Sequence, residues 1–141
     1  MNEKYEVYGE NPNNIVAIYY RLIDFYLEQT KLNFMAKNNI QNSLKKLKAA
    51  TSEESIKKNS DNLIFLVEKK SQKMDLQEQK LDERVIKNII SSTISTIHIR
   101  NNSETAQKIY DNLKNKRTSS EIIKYMITQV SLIKINQLKH L

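Results

Sequence analysis

The chain has 141 residues, a single glycine, a single proline, no cysteine and a formal net charge of +7. This length suits one domain, and the missing cysteine excludes disulfides and thiolate metal ligands. Because glycine and proline supply the special backbone angles of tight turns and phosphate loops, their scarcity excludes glycine-rich nucleotide loops and predicts long helices with short polar joints.

The basic charge has two interpretations. Lysine, asparagine and isoleucine make up 53 of the 141 residues, and all three have AT-rich codons, so we expect nucleotide bias in an AT-rich genome to be its main source. The alternative is binding to nucleic acid or an anionic surface. The first residues lack an apolar signal region, and no run reaches the roughly twenty apolar residues of a membrane span. We therefore expect a soluble, intracellular protein.

Residues 1–11 are predicted to be an N-terminal arm, and residues 12–141 a single helical domain. In the arm, Tyr5 and Tyr8 alternate with charged residues before the lone glycine. Asn11 followed by Pro12 is a favourable helix start. Because tyrosine is enriched at interfaces, we take Tyr5, Tyr8 and Tyr20 as candidate partner contacts. The alternative is that these aromatic side chains fill the core.

The first helix is predicted to begin at Pro12 and to run to about Lys37. Its apolar residues recur at helical spacing on one broad face, and they are Ile15, Ile18, Tyr19, Leu22, Ile23, Tyr26 and Leu27. The same spacing continues beyond Asn38 and Asn39, so one helix reaching Ala50 is the alternative to a break there.

A second helix is predicted over 52–99, with Thr51 as its N-cap and Glu54 closing a capping box. One unbroken helix would be about 70 Å long at ~1.5 Å per residue. We therefore expect either a break near residues 70–80 or an elongated molecule. Val67, Met74 and Leu81, which are seven residues apart, form a thin apolar stripe that we expect to contact a partner.

The same polar segment carries a basic stripe, which consists of Lys69, Lys73, Lys80, Arg84 and Lys87. On one helix these residues would share a face able to contact phosphates or an acidic partner surface. The alternative is an exposed helix that is stabilised by ion pairs between residues four apart.

Helix is also predicted for the remainder of the chain. The isoleucines of residues 89–99 recur every three or four positions, which favours helix over strand despite their β-branching. Residues 101–103 should end that helix and cap a short one. Thr118 with Glu121 forms a second capping box before a last apolar helix.

One segment resembles a known family. Residues 11–31, NPNNIVAIYYRLIDFYLEQTK, resemble the first helix of flagellin export chaperones. The matching positions are Pro12, Ile15, Val16, Tyr20, Leu27, Glu28 and Gln29. The resemblance implies a helical protein that holds the helices of another protein. It covers 21 residues, the rest of the chain does not follow the family pattern, and we do not assign the chain to this family.

Taken together, the patterns predict an all-α protein: an elongated bundle of four to six helices, some long or coiled-coil-like, with a short N-terminal arm. His98 and His140 lie far apart without acidic or cysteine neighbours at ligand spacing, so we predict no metal, no cofactor and no enzyme activity. We expect a helical scaffold or adaptor subunit that binds protein partners or itself. The alternatives are a chaperone-like protein with a helical client and an electrostatic nucleic-acid-binding protein.

Overall fold

The computed structural model describes residues 12–30, 34–99, 103–116 and 118–140. Within these ranges the chain forms six helices and no strand, so the predicted all-α bundle is confirmed. The helices are α1 (Pro12–Gln29), α2 (Phe34–Ala49), α3 (Glu53–Gln72), α4 (Leu76–Ile99), α5 (Ser103–Leu113) and α6 (Ser119–Leu138). The predicted arm, residues 1–11, lies outside the described residues, as do residues 101 and 102.

Helix α1 begins at Pro12 as predicted but ends at Gln29. The predicted extension to residue 37, or on to Ala50, is therefore wrong. The reason lies in the tertiary contacts, because α1 packs against α4 and α6 whereas α2 packs against α3. A continuous helix cannot serve both sets of neighbours, although its apolar spacing runs through the break.

The cap of α3 is shifted by one residue from the prediction. Ser52, rather than Thr51, is the N-cap, and its hydroxyl accepts a hydrogen bond from the Ser55 backbone N–H at 3.1 Å. The Ser55 hydroxyl in turn accepts from the Ser52 backbone N–H at 3.2 Å, which completes a capping box made of two serines. A serine hydroxyl therefore takes the reciprocal role that had been predicted for Glu54.

The long second helix predicted over 52–99 is broken at residues 73–75, inside the expected interval. Helix α3 ends at Gln72 and α4 begins at Leu76, after Asp75, whose carboxylate accepts a hydrogen bond from the Glu78 backbone N–H at 2.8 Å. This bond satisfies one of the free donors in the first turn of α4, as an N-cap does. The break lets the second half of the segment turn away and pack on α1.

The isoleucine-rich segment is helical as predicted, since it forms the second half of α4. Thr118 is the N-cap of α6, as predicted, and accepts a hydrogen bond from the Glu121 backbone N–H at 3.1 Å. Local hydrogen bonding of this kind needs no distant residue, which explains why a short sequence pattern locates the start of α6.

One hydrophobic core draws side chains from all six helices. Helix α6 contacts α1, α3 and α4, and its buried residues are Ile122, Ile123, Met126, Ile127, Val130, Ser131 and Ile133. Where α6 crosses α3, the hydroxyls of Ser60 and Ser131 are hydrogen-bonded to each other inside the core. Each hydroxyl also lies within hydrogen-bond distance of the carbonyl oxygen four residues earlier, that of Ile56 for Ser60 and that of Ile127 for Ser131. Both buried hydroxyls are therefore satisfied.

Lys134 of α6 ties the end of α2 to the bundle. Its ammonium donates hydrogen bonds to the carbonyl oxygens of Leu47 at 2.7 Å and Lys48 at 3.1 Å. The last carbonyls of a helix lack partners within the helix and carry partial negative charge, which makes them good acceptors for a cation. Burial lowers the pKa of Lys134.

Candidate functional site

An open groove lies between the first turns of α2 and the last turns of α3. Its volume is about 660 Å³. Its apolar lining consists of Phe34, Met35, Ala36, Ile40, Leu66 and Met74. Its polar lining consists of Asn39, Lys69, Lys70, Lys73 and Glu78. We call this feature the α2–α3 groove.

Two large apolar side chains at the start of α2 stand in solvent beside the groove. Phe34 is 81% exposed and Met35 is 74% exposed. Single exposed apolar residues are common on protein surfaces, but adjacent large ones that border a concave apolar surface are typical of interaction sites. Methionine adds adaptability, because its unbranched thioether side chain fits differently shaped partners.

The floor of the groove adjoins a buried polar cluster formed by Tyr26, Thr30, Lys70 and Asp82. The ammonium of Lys70 lies 3.3 Å from an Asp82 carboxylate oxygen, and the two side chains are only 4% and 2% exposed. Tyr26 donates a hydrogen bond to the same carboxylate at 2.6 Å, and Thr30 donates at 2.5 Å. We call these four residues the Lys70–Asp82 cluster.

The cluster joins three helices through one carboxylate. Tyr26 belongs to α1, and Thr30 directly follows the last residue of α1. Lys70 belongs to α3 and Asp82 to α4. The Lys70 ammonium also sits 4.1 Å from the centre of the Tyr26 ring, within cation–π distance. Burial lowers the pKa of Lys70, and the attraction and hydrogen bond of Asp82 oppose that change. The cluster therefore holds the ends of α1 and α3 and the first turns of α4 together.

Above this floor, the remaining lysines of the groove are accessible. Lys69 and Lys73 are exposed, and neither forms an ion pair with any residue in the described part of the chain. Glu78 is the acidic side chain of the lining, and its pKa is raised by a hydrogen bond and charge repulsion from Asp75. The rim thus presents two free ammonium groups and one carboxylate.

The predicted apolar stripe is divided by the helix break. Val67 is buried in the core, Met74 lines the groove, and Leu81 is exposed on α4. Because residues 73–75 interrupt the helix, the three side chains do not form one continuous line on a single helix. Only Met74 belongs to the α2–α3 groove.

The predicted basic stripe is divided by the same break. Lys69 and Lys73 line the groove, whereas Lys80, Arg84 and Lys87 are exposed on α4 and are not part of its lining. A single helical face carrying all five residues is therefore wrong, because α3 ends before α4 begins at Leu76. Whether either group contacts phosphates or an acidic partner stays a prediction.

Of the three tyrosines predicted to contact a partner, Tyr5 and Tyr8 lie outside the described residues. Tyr20 is half-buried against the core, and its hydroxyl is buried without a hydrogen-bond partner among the described residues. Burial raises the pKa of Tyr20 to about 12. The Lys48 ammonium lies 5.1 Å from the centre of its ring. Tyr20 therefore packs partly against the core, and its contact with a partner stays a prediction.

Lys70 and Asp82 were not among the predicted site residues, although their spacing carries a signal. Lys70 follows Leu63 and Val67 on the buried face of α3, and Asp82 precedes Ile86 by four residues on the buried face of α4. A charged residue at a core-facing position of a helix needs a partner of opposite charge. Two such positions of opposite charge in one chain were a detectable indication of a buried ion pair.

Other kinds of site find no support in the described part of the chain. No group of three or more histidine, cysteine, aspartate or glutamate side chains there could hold a metal ion. None of the described helices combines the length and apolarity required to cross a membrane.

No protein-family model matches the chain, and comparisons with curated proteins and with solved structures give no match.

Proposed function

We propose that this protein is a non-enzymatic helical interaction subunit whose α2–α3 groove binds a segment of a partner protein. The observation that carries the proposal is the exposure of Phe34 and Met35 at the edge of a concave surface that includes Met74 and Leu66. Burying large apolar side chains on binding contributes roughly 25 cal/mol per Å² of apolar surface. A partner that covers the groove removes the two most exposed large apolar side chains of the described residues from water.

The shape of the groove favours a protein segment over a small molecule. Small-molecule sites enclose most of the ligand surface within a concave pocket. Here the side chains of Phe34 and Met35 project largely into solvent, so they gain most from a partner that lies across them. Helix-in-groove recognition uses such surfaces, with apolar anchors spaced three or four residues apart.

A helix-holding chaperone would use the same groove but differ in its behaviour in the cell. A structural subunit stays in fixed stoichiometry with its assembly, whereas a chaperone exists partly free and gains stability when its client binds. Electrostatic nucleic-acid binding is less favoured, because the break separates the five basic residues and two of them border apolar side chains. Its signature would be an affinity that falls steeply with salt.

The proposal is tested by capturing partners from the native host with the full-length chain in three forms. One form is wild type, one carries F34S and M35S, and the control carries F65S and L132S. Phe65 and Leu132 are also exposed, at 60% and 56%, but neither lines the groove. Circular dichroism at 222 nm first verifies that all three forms are equally helical.

We expect a partner that copurifies in constant proportion with wild type and control and is lost from F34S/M35S. Retention of every partner by F34S/M35S, or equal loss from F65S/L132S, would contradict the proposed site. Sedimentation of the native host lysate then separates the two related functions, because only a chaperone is also found there as an excess of free protein.

A further inference from the structure

We infer that the partner segment is an acidic amphipathic helix, and this inference rests on the proposed function of the α2–α3 groove. Its apolar face would cover Phe34, Met35 and Met74, and its carboxylates would pair with Lys69 and Lys73. The juxtaposition that points to this partner is a free pair of ammonium groups directly beside an exposed apolar surface.

Charge complementarity favours the acidic partner. The groove lining contains three lysines and one glutamate. Lys70 is already paired with Asp82, which leaves Lys69 and Lys73 as the charges offered to a partner. Complementary charges at the edge of an apolar contact determine orientation and association rate and disfavour partners of the same charge. A basic partner helix would meet repulsion at this rim.

The dimensions of the groove suit a short stretch of helix. Its lining spans Phe34 to Ile40 on α2, about 9 Å along the helix axis, and Leu66 on α3 to its C-cap Lys73, about 10.5 Å. About two turns of a partner helix cover that length, so anchors at positions i, i+3 or i+4, and i+7 can reach the apolar lining. Acidic residues flanking those anchors would reach the lysines.

The acidic N-terminal arm of this chain is a less suitable occupant. The arm joins α1 at Pro12, whereas the groove lies near the other end of α1, where Thr30 donates a hydrogen bond to Asp82. The 18 residues of α1 separate these ends by about 27 Å. Eleven extended residues span at most about 36–40 Å, so most of the arm would be used to reach the groove.

The test is a selection of 16-residue peptides from a random displayed library against the full-length protein. Dissociation constants of the selected peptides are then measured by fluorescence anisotropy at low and high salt. The variants are F34S/M35S, the charge reversal K69E/K73E, and the matched reversal K45E/K58E. Lys45 and Lys58 are exposed on α2 and α3 outside the groove lining.

We expect peptides with apolar residues at helical spacing and an excess of glutamate and aspartate. K69E/K73E should weaken their binding about ten-fold at low salt, an effect that shrinks as salt screens the charges, whereas K45E/K58E leaves it within about two-fold. F34S/M35S should abolish the binding.

Several results would overturn the inference in distinguishable ways. Peptides that require Phe34 and Met35 but carry no acidic excess and ignore K69E/K73E would refute the acidic partner and leave the proposed function standing. Selected peptides that ignore F34S/M35S, or a selection that yields none, would refute both. Binding to phosphatidylcholine vesicles containing phosphatidylglycerol, with the same dependence on Lys69 and Lys73, would replace the protein helix with a membrane surface.

A fourth variant of the full chain, E3Q/E6Q/E10Q, tests the arm as occupant. Unchanged peptide affinity supports an external partner, because it shows that the acidic residues of the arm do not compete with the peptide for the groove. Tighter peptide binding by this variant would overturn the assignment in favour of the arm.

Discussion

Removal of the Asp82 carboxylate should be among the most destabilising single changes in this protein. Asp82 accepts hydrogen bonds from the hydroxyls of Tyr26 and Thr30 and pairs with Lys70, whose side chain is almost fully buried. Asp82→Ala would leave a buried ammonium and two hydroxyls without these partners. Breaking a buried ion pair by deleting one partner typically costs about 3–5 kcal/mol, which is a large part of a typical folding free energy of about 5–15 kcal/mol.

Two further variants separate the loss of the buried ion pair from the general effect of losing a carboxylate. Asp24 forms an ion pair with Lys48 at a similar distance, 3.2 Å, but these side chains are 45% and 38% exposed and are therefore partly solvated. Asp24→Ala should therefore cost no more than about 1 kcal/mol. The double variant Lys70→Met/Asp82→Leu removes both buried charges and should be less destabilised than Asp82→Ala alone, because no isolated charge remains in the interior.

The assay is urea unfolding of each variant followed by circular dichroism at 222 nm. The free energy of unfolding is obtained from the midpoint and the slope, and an unchanged slope shows that the variants unfold from comparable native states. If Asp82→Ala and Asp24→Ala lower stability equally and by less than about 1 kcal/mol, the buried cluster does not hold the three helices together and the reasoning fails.

Two further predictions concern a helix cap and an alkaline titration. Thr118→Ala should cost about 1 kcal/mol of unfolding free energy in the same assay, because α6 loses its N-cap. The control is Thr128→Ala, the same substitution on the exposed face of α6, which should cost less. Equal costs for the two variants would contradict the capping role of Thr118. The folded-state pKa of Tyr20 is raised from 10.0 to about 12, so the unfolded chain loses this proton first. Stability should fall between about pH 10 and 12. Tyr20→Phe should reduce that fall relative to the exposed control Tyr110→Phe, and an unchanged fall would refute the assigned burial.

How much of the structure follows from local sequence is clearest at the helix starts. Pro12 and Thr118 begin or cap helices as predicted, because a cap is formed by residues within one turn of each other. The cap of α3 was displaced by one residue, since a second serine, Ser55, competes with Glu54 for the reciprocal bond. Asp75, followed by Glu78, carried the same kind of signal and explains the start of α4.

The candidate groove was only partly accessible from the sequence. Met74, Lys69 and Lys73 were predicted as contact residues and line the groove, but Phe34 and Met35 were read as a continuation of the first helix. Apolar spacing alone cannot show where a helix ends when the same spacing continues beyond the break. The exposure of Phe34 follows from the direction of α2, which is set by its packing on α3.

By itself the sequence determined the helical class of the described residues, with very little glycine or proline to interrupt the helices, and it located the apolar face of α1 by its spacing. Tertiary structure alone decided which faces meet. It placed a lysine and an aspartate, 12 residues apart, in one buried pair and divided both predicted stripes at a single joint. The physical reason is that secondary structure and capping depend on neighbours within a few residues, whereas the partner of a buried charge and the exposure of an apolar face depend on how distant helices pack.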